Sequence, residues 1–224
     1  MAPPARVIAG PTVAVVATGT ANTASVLAAF RRLGARPFLT HDPGEVERAE
    51  RLVLPGVGAF AAAMDELERR GLADVLTRRL TSGRATLAIC LGLQLLLDGS
   101  DESPERPGLG VVAGRAEPFA PAPGLRVPQL GWNAVVPDGG QLMTPGQAYF
   151  ANTYRLGSRP PAGWSGATTD HGGPFTSALE RGGVLACQFH PELSGAWGMD
   201  LLGRWLRLAP FLSPPSCPET QEVR

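Results

Sequence analysis

Thr86-Leu87-Ala88-Ile89-Cys90-Leu91-Gly92-Leu93-Gln94-Leu95-Leu96-Leu97 is the stretch on which the reading of this chain turns. Apolar residues run unbroken into Cys90, Gly92 follows two positions on, and a second apolar run, Leu93–Leu97, encloses Gln94. The pattern predicts a buried strand that ends at a sharp turn and passes directly into a helix. A cysteine at that corner lies beside free helix N–H groups and the positive end of the helix dipole, surroundings that favour a thiolate. The turn also leaves N–H groups for a developing oxyanion, and Gly92 is expected to let a substrate approach the backbone. This is a nucleophile elbow with sulfur in place of oxygen. By itself the stretch equally describes an inert core cysteine, the commoner fate of the residue.

The residues upstream supply the frame for an elbow. Val13–Ala17, Arg36–Thr40 and Arg51–Leu54 read as strands. Between and after them, Thr23–Leu33, Gly44–Ala49, Ala61–Arg70 and Leu72–Leu80 read as helices, the last two broken at Gly71. Strands alternating with helices predict an α/β fold, a central and mostly parallel sheet with helices on both faces. Active sites in such sheets lie beyond the carboxyl ends of the strands. The loop Pro55–Phe60 and the elbow at Cys90 both fall there. Downstream of Ser100 the periodicity weakens, with short strands expected near Gly110–Val112, Gly131–Val135, Tyr149–Arg155, Gly166–Asp170, Ser177–Glu180 and Gly183–Phe189. Met199–Leu208 closes the pattern as an amphipathic helix. The expected division is a flexible N-terminus over 1–11, one domain over 12–208, and a Pro-rich disordered tail over 209–224.

Composition narrows the function. Lys+Arg and Asp+Glu are equal at 20 each, so net charge points neither to nucleic acid nor to an anionic membrane. Three widely spaced cysteines, Cys90, Cys187 and Cys217, suit neither a disulfide framework nor a zinc site, and no metal or cofactor is expected. Arg6 followed by apolar residues faintly resembles a leader, but Gly10 and Pro11 interrupt the run. A cytoplasmic protein is expected.

The second half of the chain gives the elbow its partners. In Cys187-Gln188-Phe189-His190-Pro191-Glu192, a base and a carboxylate leave the end of one predicted strand together, with Pro191 fixing the backbone between them. That suits an imidazole beside the thiol and a carboxylate on the far ring nitrogen. A lone His-Pro-Glu is an ordinary surface turn. Its coincidence with a cysteine elbow and a Gly-rich loop is not.

These residues resemble the class I glutamine amidotransferases, and within them the glutaminase subunits of imidazole glycerol phosphate synthase, the histidine-pathway enzyme. The likeness runs from Val13 to Leu208. Leu54-Pro55-Gly56-Val57-Gly58-Ala59-Phe60 resembles the family's oxyanion-strand loop, and Ile89–Leu96 its nucleophile motif. Pro107–Gly110, Val127-Pro128, Gly131-Trp132-Asn133, Tyr149-Phe150, Tyr154, Ala167–Asp170, Gly172–Phe175 and Gln188–Glu192 recur in that subunit. Leu93 stands where anthranilate, aminodeoxychorismate and carbamoyl-phosphate glutaminases usually carry His. The resemblance implies Cys90 as nucleophile, His190 as general base and then acid, and Glu192 as its orienter. Backbone N–H groups of Leu91 and of Val57 or Gly58 would hold the oxyanion. Gly56, Gly58, Gln94, Thr153 and Tyr154 would line the glutamine site. The implied partner is a (β/α)₈ cyclase that receives ammonia, in a heterodimer whose interface would include Gln129, Trp132, Asn133, Asn152 and Leu193.

Several positions depart from the pattern. Ala88 replaces a usual Gly, Asn152 a usual His, Gln129 a common His, and Leu193 the Lys after His-Pro-Glu. The first turn lacks Asp-Tyr before Gly19 and has Ala21 for Gly. The triad is untouched; the partner contact and its activation signal are what these changes bear on. Two other readings remain: a paralogous amidotransferase feeding another acceptor, and a catalytically idle binding protein that keeps the fold.

Overall fold

The computed structural model describes residues 10–17, 22–157 and 159–208. Its first half follows the predicted alternation: β1 (Thr12–Val16), α1 (Thr23–Arg32), β2 (Arg36–Thr40), α2 (Pro43–Arg48), β3 (Leu52–Gly56), α3 (Phe60–Arg69), α4 (Ala73–Thr81) and β4 (Thr86–Cys90). Local chemistry sets the boundaries. Asp42 caps α2 by accepting from the Glu45 N–H at 2.8 Å, with Pro43 at the first helical position. Gly71, at φ +67°, separates α3 from α4.

The chain continues with α5 (Leu91–Leu95), β5 (Leu97–Ser100), β6 (Ser103–Pro107), β7 (Val112–Pro118), β8 (Gln129–Asp138) and β9 (Gly146–Asn152). Then come β10 (Tyr154–Leu156), β11 (Ser165–Asp170), β12 (Pro174–Arg181), β13 (Val184–Cys187), a 3₁₀ turn at Pro191–Leu193, and α6 (Gly195–Leu206). One sheet runs β2-β1-β3-β4-β13-β12-β10-β7-β5-β6, with β11 and β8 branching from β12 and β9 pairing β8. The five strands from β2 to β13 are mutually parallel. Beyond β13 most pairings are antiparallel.

Alternation along the parallel strands divides the core into two layers. Val13, Val15, Val53, Leu87, Ile89 and Leu185 pack with α1 and α6 on one face. Ala14, Val16, Leu52, Leu54, Ala88 and Ala186 pack with α3 and α4 on the other. Helices thus cover both faces, as a buried parallel sheet requires.

The structure departs from the sequence reading mainly after Cys90. The helix there is five residues long and ends at Leu95, because Leu97 starts a strand. A continuous apolar run cannot distinguish a buried helix from a buried strand. The hairpin β5–β6 was not expected: β6 is a sheet edge, polar and largely exposed, and carries no alternation. Helix α6 begins at Gly195, four residues earlier than predicted. Ala88 sits mid-strand and fully buried, two residues before the turn. Gly10 and Pro11, assigned to a flexible terminus, are tied to Arg36: its N–H donates to Pro11 O at 2.9 Å and its Nε to Gly10 O at 3.1 Å. Residues 18–21, among them Gly19 and the departure at Ala21, and the tail over 209–224 with Cys217 lie outside the described residues.

Gly92 has a different task from the one expected. A Cβ there would overlap the Leu54 carbonyl oxygen, so the glycine serves the contact between α5 and β3 and not a substrate. Replacing Gly92 by Ala should therefore cost about 1–3 kcal/mol of stability, the usual range for overpacking a core. Urea unfolding of Gly92→Ala against wild type measures it.

Candidate active site

Register explains how distant residues meet. Gly56 pairs with Cys90 across β3–β4, and Cys187 pairs with Ile89 across β4–β13. The loop after β3, the elbow after β4 and the Gln188–Glu192 segment after β13 therefore emerge side by side at the carboxyl end of the parallel sheet. Cys90 itself is in left-handed backbone, φ +55° and ψ −111°, the only described non-glycine residue with positive φ.

The loop after β13 is anchored before it reaches the thiol. The His190 N–H donates to Tyr149 O at 2.9 Å. Ser194 Oγ donates to His190 O at 2.6 Å and accepts from the Tyr149 N–H at 3.0 Å. His190 Nδ1 donates to Glu192 Oε1 at 2.9 Å, which leaves Nε2 as the nitrogen for the sulfur. Glu192 is almost wholly buried, and its Oε2 makes no hydrogen bond among the described residues. Burial opposes a charge on His190. Hydrogen bonding to Cys90 and to Glu192, and the charges of both, outweigh it and raise the imidazole from 6.5 to about 10. At neutral pH the ring holds its proton. Cys187, the other described thiol, is pushed well above its ordinary value, first by burial and then by Glu192 and Glu180. It is a core strand residue without a part in this arrangement.

Cys90 and His190 open into a cavity of about 330 Å³ lined also by Val57, Gly58, Leu91, Gln94, Glu102, Ala151, Asn152, Thr153 and Tyr154. That volume lies at the small end of ligand sites, which run from about 300 to 1,000 Å³. Of the expected pocket residues, Val57, Gly58, Leu91, Gln94, Thr153 and Tyr154 are brought together here. Gly56 is buried beneath the site, where a Cβ would come within 2.8 Å of Leu91 Cβ and 2.9 Å of Gly92 N. Sequence reasoning missed Glu102 and Ala151. Glu102 comes from the unexpected β5–β6 hairpin, and its Oε2 accepts from the Phe60 N–H at 2.9 Å.

The residues assigned to an interface separate into two groups. Gln129 and Asn152, register partners across β8–β9, are 3% and 5% exposed and so point into this chain. Both amide atoms of Gln129 lack partners among the described residues, and Asn152 lines the cavity. Trp132 and Leu193 are exposed. Asn133 is half-buried and donates to Asp170 O at 2.7 Å.

A cysteine elbow at the carboxyl end of a parallel sheet thus meets a His–Glu pair at one small cavity. The model of the family "Glutamine amidotransferase class-I" matches residues 15–205. The imidazole glycerol phosphate synthase subunit HisH of Deinococcus radiodurans is 42% identical over 208 residues, covering 90% of this chain and 96% of the relative. HisH of Symbiobacterium thermophilum is 42% identical over 201 residues, covering 88% and 93%. A crystal structure of a glutamine amidotransferase superposes with a TM-score of 0.69 at 23% identity, over 87% of this chain and 96% of that one. The chain belongs to the class I glutamine amidotransferases and, within them, to the HisH family of imidazole glycerol phosphate synthase subunits.

The charge on His190 gives a measurable signature. Its folded pKa lies above the unfolded value, so its stabilising contribution is complete below about 6.5 and is lost as pH rises through about 10. An NMR titration should find the imidazolium intact at pH 8. In Glu192→Gln it should titrate at lower pH, and the stability gap between the two proteins should narrow between pH 7 and 10.

Proposed function

We propose that this chain is the glutaminase subunit of imidazole glycerol phosphate synthase, hydrolysing glutamine through Cys90, His190 and Glu192 and passing the ammonia to a (β/α)₈ cyclase. The observation that carries the chemistry is the shared cavity of Cys90 and His190, with Glu192 2.9 Å behind the imidazole. The Cys90 sulfur attacks the amide carbon of the glutamine side chain, and the carbonyl oxygen takes the charge. N–H groups of Leu91 and of Val57 or Gly58 are the donors on hand for that oxyanion. The C–N bond breaks as His190 gives its proton to the nitrogen, and ammonia leaves a γ-glutamyl thioester. His190, now neutral, takes a proton from water, which attacks the thioester. The sulfur departs, and glutamate is released. Glu192 keeps Nδ1 protonated and steadies the ring through both transfers.

Glu102 deepens the reading. The amide of glutamine must face Cys90, so its α-ammonium must find a negative group elsewhere in the cavity, and Glu102 is the carboxylate in the lining. Glu102→Gln should raise KM about tenfold or more with a smaller change in kcat, as loss of a charge-assisted contact predicts.

The partner is supported by the outer face of β8. Leu130, Trp132 and Val136 alternate along it and are 70%, 57% and 58% exposed. Contiguous apolar surface of this kind marks an interaction site. The hisHF synthase of Arabidopsis thaliana, 42% identical over 209 residues, matches this chain over 34% of its own length. It thus carries further polypeptide beyond the matched region. On this reading the product is imidazole glycerol phosphate with the aminoimidazole carboxamide ribotide. Activation would work by turning the Val57–Gly58 backbone toward the oxyanion, one donor being worth roughly 3–4 kcal/mol. The departures at Asn152, Gln129 and Leu193 would alter the strength of that coupling and leave the chemistry intact.

Cys90→Ala should abolish glutamine hydrolysis while the cyclase still makes product from added ammonium. Retained glutaminase activity in that variant would remove the mechanism. Glu192→Gln should lower turnover less than His190→Ala, because one residue orients and the other moves the proton. Measuring kcat alone, with the cyclase, and with the cyclase plus a substrate analogue tests the partner. An isolated chain already running at the complexed rate would exclude a gate.

A further inference from the structure

The triad leaves one polar group at the sulfur unexplained. Gln188 is fully buried, and the β4–β13 register sets it beside Cys90, one step past the Cys187–Ile89 pair. Its Nε2 lies 3.7 Å from Cys90 Sγ, and its Oε1 accepts from Gln94 Nε2 at 3.1 Å. A backbone carbonyl fixes the direction of this chain of amides. Gln94 Nε2 also donates to Tyr154 O at 3.2 Å, and a carbonyl can only be satisfied by an N–H. The nitrogen of Gln94 is therefore the end that sits between the two acceptors, and its second N–H requires the oxygen of Gln188. The N–H₂ of Gln188 is left facing the sulfur.

We propose that Gln188 is a positioning residue for the nucleophile: its amide donates to the Cys90 sulfur and ties it, through Gln94, to the wall of the substrate cavity. The inference rests on the glutaminase reading and refines it. As a thiol, Cys90 has the Ala151 carbonyl at 3.9 Å as an acceptor for its S–H. As a thiolate it needs donors, and among the described residues Gln188 and His190 are the side chains that offer them. Attack forms the S–C bond and moves the charge to the oxyanion, which releases the Gln188 contact. Breakdown of the thioester returns the charge to sulfur and restores it. Gln188 thus helps the sulfur to leave in the second half of the reaction and fixes its aim in the first. Besides Cys90, the titratable residues lining the cavity are His190, with Glu192 behind it, Glu102 and Tyr154.

The test is the pH dependence of Cys90 alkylation by iodoacetamide, with kcat and KM for glutamine, in wild type, Gln188→Leu and Gln188→Glu. Gln188→Leu should move the alkylation midpoint to higher pH and lower kcat about tenfold, the scale of a lost hydrogen bond to a charged group, with KM changed far less. Gln188→Glu keeps the shape and the acceptor toward Gln94 but sets a carboxylate against sulfur, so its midpoint should move further still. A Gln188 that only fills space predicts an unchanged midpoint and an unchanged kcat in Gln188→Leu, which would overturn the proposal. Should the variants fail to fold, the side-chain amide NMR signal of Gln188 decides within the native protein. It should shift when Cys90 is alkylated or replaced by Ser; an unmoved signal overturns the proposal. Wild type without glutaminase activity would defeat the functional reading, while the alkylation profiles still decide the role of Gln188.

Discussion

Cys90 is held in left-handed backbone, a conformation that costs an L-residue on the order of 1–3 kcal/mol and survives only where its surroundings leave no alternative. Those surroundings are the reason for much of the fold. β4 is buried along its whole length between β3 and β13, parallel to both, so its last residue cannot relax along the strand. α5 starts at once and is pressed against β3, close enough that neither Gly56 nor Gly92 has room for a side chain. Relaxing the turn would require β3 and α5 to part. The strain is thus balanced by packing in both layers of the core, and it aims the sulfur at a cavity in place of the interior.

That cavity is assembled from two halves with different architecture. The parallel half contributes Val57, Gly58, Cys90, Leu91 and Gln94, and the loop after β13 adds His190. The antiparallel half contributes Ala151–Tyr154, and the β5–β6 hairpin contributes Glu102. Cys90 and His190 come from strand ends fixed by a two-sided core. The remaining wall comes from strands whose other face meets solvent. Ser194, bridging His190 and Tyr149, fastens one half to the other next to the imidazole.

The parallel half was legible because its physics is local: apolar runs of strand length, capped helices and glycine punctuation all agree. Cys90, His190 and Glu192 were legible because strand ends in such a sheet converge. What escaped was whatever depends on partners distant in sequence. The β5–β6 hairpin has no apolar alternation to announce it, since β6 is an exposed edge held by its ladder, and Glu102 was lost with it. Gln129 and Asn152 were assigned to an interface by resemblance alone, and resemblance does not say which phase of the strand alternation faces the core. Burial of the pair shows which phase the core selected. Gly92 was assigned to substrate because sequence cannot show that a carbonyl from β3 already occupies the space beside it.

The placement of Gln129 and Asn152 bears on how an event at the surface could reach the chemistry. β8 presents Leu130 and Trp132 outward and Gln129 inward, and it is joined by its ladder to β9. β9 runs directly into Ala151–Tyr154, the wall that faces Cys90 and supplies the carbonyl on which Gln94 hangs. Between a protein seated on the outer face of β8 and the sulfur there is thus one strand pair and one chain of amides. A displacement of β9 would move Tyr154 O, then Gln94, then Gln188, each through a hydrogen bond given above. Asn152 hangs on the same carbonyl at 3.0 Å, so it shares in any such movement without touching the proton. On the proposed reading, a change at this position tunes how firmly the wall answers the partner, while Cys90, fixed at the buried end of β4, stays where it is.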